Sequence, residues 1–337
     1  MKLSPVASHA TPLYHRGMIR NAMLTRATTV FVAFLSTSAA LAADPPSAGF
    51  ADPVLGRWDI TVQGSDGAYP SWLELQLRTE RQLMGRLVGQ FGSVRHAAAI
   101  TYEDNQLKVR VPVQYEGGDD DLVFTGSVAN AELTGTVRMA DGAVLDWHGV
   151  RAPALNRKHR IQWGEPISLI SDDLSDWHLR DDRNPGCWSV TNGILKVTPP
   201  CADIISNATF DDFRLELEFR YPPGSNSGVY LRGRYEVQIQ DDHGKALDPL
   251  RLGGVYGFLA PEVDASRPAG EWQTYDIELV GRTINATLNG NRILTNRVIP
   301  GITGGALDSN EGSAGPLMLQ GDHGPIEYRN VVLTPGH

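Results

Sequence analysis

The side chains best suited to chemistry are concentrated in Asn226-Ser227-Gly228-Val229-Tyr230-Leu231-Arg232-Gly233-Arg234-Tyr235-Glu236-Val237-Gln238-Ile239-Gln240. A strand sends alternate side chains to opposite faces. Read as a strand, this stretch turns Val229, Leu231, Tyr235, Val237 and Ile239 into a core. Its other face carries Asn226, Tyr230, Arg232, Arg234, Glu236, Gln238 and Gln240. A merely solvated sheet face is commonly a mixture of Lys, Glu, Thr and Ser, whereas this one has no Lys and a single acid. Amides both donate and accept, a guanidinium donates in a fork and a carboxylate accepts, which is the set a polyhydroxylated ligand requires. A second cluster lies in Gly315-Pro316-Leu317-Met318-Leu319-Gln320-Gly321-Asp322-His323-Gly324. There Gln320 and Asp322 share a face of a short strand with His323 at its end, and Gly321 and Gly324 allow close backbone approach. The alternative for this cluster is an Asp-His-Gly turn without chemistry.

The elements that must position these groups are strands. Phe213, Leu215, Leu217 and Phe219 alternate with charged residues, as do Tyr275, Ile277 and Leu279, and Leu107, Val109, Val111 and Val113 follow the same period. Asn289-Gly290 separates two apolar runs and predicts a tight hairpin. Glycine (35) and proline (21) are plentiful, and no long amphipathic helix is legible, so the chain is read as all-β. Pro153 to Trp163 reads as a linker, its basic run Arg157-Lys158-His159-Arg160 solvated. It separates a small β-barrel or β-sandwich over residues 54–152 from a larger β domain over 164–337. No catalytic constellation is legible in the first of these. With a formal net charge of −9 and no concentrated basic face, the chain is unsuited to nucleic acid.

Residues 1–43 read as a signal peptide. Arg20 and Arg26 precede the apolar run Val30–Leu35, and Ala40-Leu41-Ala42 fits a cleavage site; Met18 or Met23 would serve as the true start. The apolar run is too short to span a bilayer, so the processed chain has no membrane span and works in the periplasm or is secreted. In such a compartment the two cysteines, Cys187 and Cys201, can pair. They flank Trp188–Val197, a segment with an Asn192-Gly193 turn that brings its ends together. A structural disulfide is therefore expected over a catalytic thiol or a metal pair.

The central motif Asn226–Gly233 followed by Tyr235–Gln238 resembles that of the 3-keto-disaccharide hydrolase domain family. Further pieces match in order: Asp173-Leu174-Ser175-Asp176-Trp177, Trp188–Leu195, Phe210–Glu216, Gly254-Val255-Tyr256-Gly257, Gly270–Tyr275, Leu317–Gly324 and Tyr328–Val331. The resemblance spans residues 164 to 335 and implies a concanavalin A-like jelly-roll sandwich acting on 3-keto-glycosides, with a small-molecule sugar as substrate. A C3 ketone acidifies the C2 proton, so a base can form an enolate and the C1 substituent can leave; water then adds back. This needs a general base and a group to hold the developing oxyanion. For this chemistry Glu236 and His323 are the candidate bases and Arg232 and Arg234 the candidate oxyanion partners, with Arg232 counted among the catalytic groups. Asn226, Tyr230, Arg234, Gln238, Tyr256, Gln320 and Asp322 would hold substrate. No cofactor is implied, although a divalent cation on His323, Asp322 and Glu236 could replace the arginine role.

Two other functions fit the same residues. One is a non-catalytic carbohydrate-binding protein, which would suit a Glu236 locked in an ion pair with Arg234. The other is a conventional glycoside hydrolase, which needs two carboxylates at a fixed separation. The chain lacks the E-x-D-x-x-E strand pattern of glucanases, and its central strand offers one acid.

Overall fold

The computed structural model describes residues 53–79 and 82–337, so the expected signal peptide lies outside the described residues. Among those residues all regular structure is strand, as the alternation implied. Nine strands from Gly56–Gly64 to Val144–Arg151 form one antiparallel sheet in which chain neighbours pair, except the fourth and fifth, and the first strand also pairs the ninth. Arg95–His96 and Ala99–Glu103 are the two edges and are linked by Ala97-Ala98, whose N–H groups donate to Gly85 O at 2.9 Å and Arg110 O at 2.8 Å on the strands next inward, so the sheet curls onto itself. Trp58, Ile60, Leu73, Leu87, Val109, Phe124 and Trp147 fill the resulting barrel.

The rest of the chain is a jelly-roll sandwich. An eight-stranded sheet carries the alternating strands Asp212–Arg220 and Gln273–Val280 at its centre. Its outward face is charged, with pairs such as Arg214–Glu278 and Glu218–Arg329 across neighbouring strands. A five-stranded sheet lies against it, in the order Trp177–Leu179, Ile204–Phe210, Gly315–Leu319, Asn226–Leu231, Tyr235–Gln240. Between them Phe213, Leu215, Phe219, Val229, Val237, Tyr275 and Leu319 form the core.

The stretch read as one central strand is a hairpin of Asn226–Leu231 and Tyr235–Gln240. Side-chain parity nonetheless survives, because Tyr230 pairs with Glu236 and Gly228 with Gln238, placing even positions of both strands on one face. The three turn residues escape that period: Arg232 (φ 53°) and Gly233 (φ 66°) are left-handed. Nor is the even face a solvated one. Tyr230 and Glu236 are buried where Thr303, Gly304 and Gly305 run across that face, and Gln238 is buried with its Nε2 donating to Leu250 O at 3.4 Å. The basic run is also better anchored than a solvated linker would be. Arg157 is half-buried and its NH2 reaches Asp212 at 2.9 Å and Asp211 at 2.6 Å.

The described residues form one compact unit. Trp72 and Val88 of the barrel belong to the sandwich core cluster, and Trp72 meets Phe258 edge-on with ring centroids 5.4 Å apart. Arg57 NH1 donates to Pro300 O at 3.1 Å, and Thr61 Oγ1 lies 3.1 Å from Ser309 Oγ. Asp59, on the first barrel strand, is buried against Glu311 of the sandwich. Burial and then the Glu311 charge push its carboxyl well above the usual carboxylate range. Glu311 is in turn 3.0 Å from the buried Arg282 and accepts from the Tyr235 hydroxyl at 2.5 Å.

Cys187 and Cys201 are joined in a disulfide with Cα atoms 5.7 Å apart. Trp188–Thr191 and Ile194–Val197 form the hairpin between them, and Asn192 (φ 52°) and Gly193 (φ 71°) make its turn.

Candidate active site

A cavity of about 300 Å³ opens over the five-stranded sheet on the face away from the core. Eight of the residues singled out in sequence line it: Asn226, Tyr230, Glu236, Gln238, Tyr256, Gln320, Asp322 and His323. The hairpin supplies the first of these, the end of Gly315–Leu319 supplies Gln320 to His323, and the turn after the hairpin supplies Tyr256.

Glu236 sits on the cavity floor. Its cross-strand partner Tyr230 places a hydroxyl 3.0 Å from Glu236 Oε2 and 2.9 Å from Gly304 O. A tyrosine has one proton to give, so it cannot donate to both. With the carboxylate ionised, the hydroxyl donates to Glu236. With the carboxyl protonated, the acid donates to the tyrosine oxygen and the hydroxyl turns to Gly304 O. Burial raises the Glu236 carboxyl to about 8, against the lowering effects of the Tyr230 hydrogen bond and of His323. Burial likewise holds the Tyr230 hydroxyl well above its ordinary value, with the Glu236 charge adding to it. Glycine at 228 is required here: a Cβ at that position would overlap Glu236 Oε1. Glycine at 305 (φ 80°) is required for the tyrosine, since a Cβ there would come 2.6 Å from the Tyr230 hydroxyl.

His323 Nδ1 is hydrogen-bonded to Asp322 Oδ1. That bond raises the imidazole above its ordinary value despite burial, and the Glu236 charge adds to the effect. Burial would raise the Asp322 carboxyl, yet the His323 hydrogen bond and charge bring it below the usual carboxylate range. Gln320 Oε1 is buried and accepts no hydrogen bond from the protein, so a ligand donor there would recover a bond that burial otherwise forfeits.

Arg232 and Arg234 do not reach the cavity. Arg232 is fully buried at the hairpin turn, where its NH2 donates to Gly281 O at 2.8 Å and to the Tyr235 hydroxyl at 3.1 Å, and its NH1 to Asp211 at 3.1 Å. Arg234 forks onto Asp308 at 2.7 and 3.1 Å and donates to Ser313 O. Both lie in the turn, where strand alternation no longer aims side chains. Glu236 accordingly has Tyr230, not Arg234, as its partner.

The cavity's arginine is Arg180, which sequence reasoning missed. It follows the short strand Trp177–Leu179, too brief to show a period. Its NH1 donates to Gly305 O at 2.8 Å and to Asp203 Oδ2 at 3.1 Å. Asp203 was also missed, although an acid inside the apolar run Ala202-Asp203-Ile204-Ile205 signals a paired buried group. Its other oxygen accepts the Gly321 N–H at 3.0 Å. Phe91, Gly92 and Tyr115 of the barrel complete the lining, through contacts between parts of the chain that no local pattern encodes.

The donor set suits a cation poorly. His323 and Asp322 are bonded to each other and Glu236 to Tyr230, and among the described residues no three His, Cys, Asp or Glu side chains are grouped to hold a metal ion.

Residues 165–334 match the 3-keto-alpha-glucoside-1,2-lyase-like domain. Among solved structures, the chain is similar to two Parabacteroides distasonis proteins provisionally assigned as glycosyl hydrolases. One is 26% identical with a TM-score of 0.44, covering 53% of this chain and 92% of its own. The other is 26% identical with a TM-score of 0.41, covering 51% and 100%. A β-glucanase from Bacillus licheniformis is 13% identical with a TM-score of 0.34, covering 53% and 99%. No curated protein matches the chain.

Proposed function

The chain belongs to the 3-keto-alpha-glucoside-1,2-lyase-like domain family, and on that premise we propose that it cleaves 3-keto-glycosides by removing the C2 proton. Glu236 is the general base. A carboxylate whose proton affinity is raised by burial is a stronger base than one in water, and the Tyr230 hydroxyl beside it stabilises its ionised form. Loss of the C2 proton moves its bonding pair into the C2–C3 bond and charge onto the C3 oxygen, where the Arg180 guanidinium balances it. The enolate then expels the C1 substituent, leaving a C1–C2 double bond conjugated to the C3 ketone. His323, whose proton affinity the hydrogen bond to Asp322 raises, protonates the departing oxygen. Water adds at C1 and a proton returns to C2, giving the free 3-keto sugar. Asn226, Gln238, Tyr256 and Gln320 hold hydroxyls around the ring.

The observation that supports this chemistry is a single cavity in which a buried carboxyl paired with a tyrosine faces an arginine and an Asp–His pair. A two-carboxylate hydrolysis is less well served, since Asp203 is engaged by Arg180 and the Gly321 N–H, and Asp322 by His323. We further propose that the protein works outside the cytoplasm, in an oxidising compartment where its disulfide persists.

The decisive experiment incubates purified protein with 3-keto-trehalose, 3-keto-sucrose and an aryl 3-keto-glucoside in heavy water, beside the unoxidised parents. Cleavage of the keto forms alone, with deuterium at C2 of the released sugar, is expected. Hydrolysis of a plain glycoside without deuterium at C2 would overturn the proposal in favour of the two-carboxylate route. Binding of both forms with cleavage of neither would identify a binding protein.

A further inference from the structure

The cavity is chemically two-sided. The sandwich side carries the acid–base groups and the amides. The barrel side presents two aromatic rings, Phe91 and Tyr115, which are 52% and 66% exposed. Both come from residues outside the family match at 165–334, so this wall is an addition to the family's own domain.

The two loops that carry these rings are fixed. Gln90 O accepts the Gly305 N–H at 2.8 Å, tying the Phe91 loop to the backbone beside Tyr230. Gly92 is packed so closely on Gly304 that a Cβ at Gly304 would overlap Gly92 O. Gln114 Nε2 donates to Ser93 Oγ at 3.1 Å and its Oε1 accepts the Ser93 N–H at 3.1 Å, linking the two loops. Glu116 is forked by Arg95 and accepts the Gln114 and Tyr115 N–H groups at 2.9 and 3.1 Å. Exposed aromatic rings are thus presented on a rigid frame at the mouth of a cavity, an arrangement that pre-organises a stacking surface.

We propose that the barrel supplies the leaving-group subsite, with Phe91 and Tyr115 stacking against a flat, apolar alcohol such as an aryl or arylmethyl aglycone. This rests on the keto-glycoside reading of the sandwich side. An aromatic leaving group is favoured over a second sugar because the polar side chains that flank Tyr115 in sequence are already engaged, Gln114 with Ser93 and Glu116 with Arg95. Behind the same two rings lies a second cavity of about 380 Å³ in the barrel mouth, whose walls mix Tyr69, Leu122, Phe124 and Leu145 with Ser71, Asp66 and Asp141, so an extended aglycone has room beyond the first ring.

The test compares methyl, benzyl and naphthylmethyl 3-keto-glucosides with 3-keto-trehalose, using wild type, Phe91→Ala, Tyr115→Ala and Tyr115→Phe. Each variant is compared with wild type on the same substrate, which cancels differences in intrinsic leaving ability. Loss of one aromatic contact should lower kcat/KM for the benzyl and naphthylmethyl compounds roughly tenfold and for the methyl compound less than about twofold. Tyr115→Phe keeps the ring and should stay near wild type. Equal losses on methyl and benzyl compounds would mean that the rings act only through the fold, and no loss anywhere would mean that they touch nothing; either overturns the subsite. A larger loss on 3-keto-trehalose than on the benzyl compound overturns the aryl preference. If wild type cleaves none of the four, the proposed function fails and the subsite is judged by calorimetry with plain benzyl and methyl glucosides. Tighter benzyl binding that is lost in Phe91→Ala sustains the subsite, and equal binding removes it.

Discussion

Replacing Tyr230 by Phe keeps the ring and removes a single hydroxyl, the one that lies between Glu236 and Gly304 O. The ionised carboxylate loses a charge-assisted donor; the protonated acid loses a neutral acceptor, and Gly304 O, which lines the cavity, takes a water in place of the hydroxyl. A hydrogen bond to a charged group contributes about 1.5–3 kcal/mol and a neutral one about 0.5–1.5 kcal/mol, so the variant disfavours ionisation by about 1–1.5 kcal/mol. That is roughly one pH unit, carrying Glu236 upward from about 8. At pH 7 the ionised fraction would fall from roughly a tenth to roughly a hundredth, and cleavage of a 3-keto-glycoside would slow about tenfold, with recovery as pH rises above 9. Infrared titration reads the carboxyl directly, through a protonated C=O band identified by its absence in Glu236→Gln. The pH dependence of kcat/KM reads the consequence. Both measurements belong on protein shown to be folded by circular dichroism. A carboxyl band that titrates at the wild-type position in Tyr230→Phe, or shifts to lower pH, would refute the assignment of the hydroxyl as the donor to the carboxylate.

Gly228→Ala should displace the Glu236 carboxyl without opening the core and cut kcat at least about tenfold while KM changes little, as steady-state kinetics would show. Because burial raises Glu236 above its free value, its contribution to stability is full below about pH 4.5 and is lost as pH rises through about 8. Glu236→Gln should therefore melt above wild type at pH 8–9, by up to about 4 kcal/mol at 1.4 kcal/mol for each pH unit, with the difference shrinking near pH 5. At the barrel–sandwich junction, Glu311→Ala strands the buried Arg282 and should cost about 3–5 kcal/mol. Asp59→Asn replaces a carboxyl already held protonated and should cost far less at pH 7, a contrast that chemical denaturation would measure.

The period of two was enough to read the strands, the sandwich core and the polar face of the hairpin, because each depends on neighbours two residues apart. It located Glu236, Tyr230 and Gln238 because the hairpin register pairs even positions with even ones. It misdirected Arg232 and Arg234 because a three-residue turn with left-handed backbone breaks that period. Arg180, Phe91 and Tyr115 enter the cavity through chain segments that are distant in sequence, and nothing in their immediate neighbours encodes the meeting. The burial of Tyr230 and Glu236 was equally hidden, since what covers them is the Thr303–Gly305 segment.

The junction where Trp72 enters the sandwich core bears on how the protein can be divided. Gly301 lies flat on the edge of that indole, and a Cβ there would overlap it, so this contact has no slack to absorb a shift. A cut at the 153–163 segment would follow the chain's own punctuation, yet it would pull a tryptophan out of one half and open the mouth of the cavity in the other. Neither fragment would inherit a finished surface. In heating or proteolysis the molecule should therefore fail as a single cooperative body, and swapping one barrel for another would demand matching the Trp72 socket before any change in substrate range could be gained.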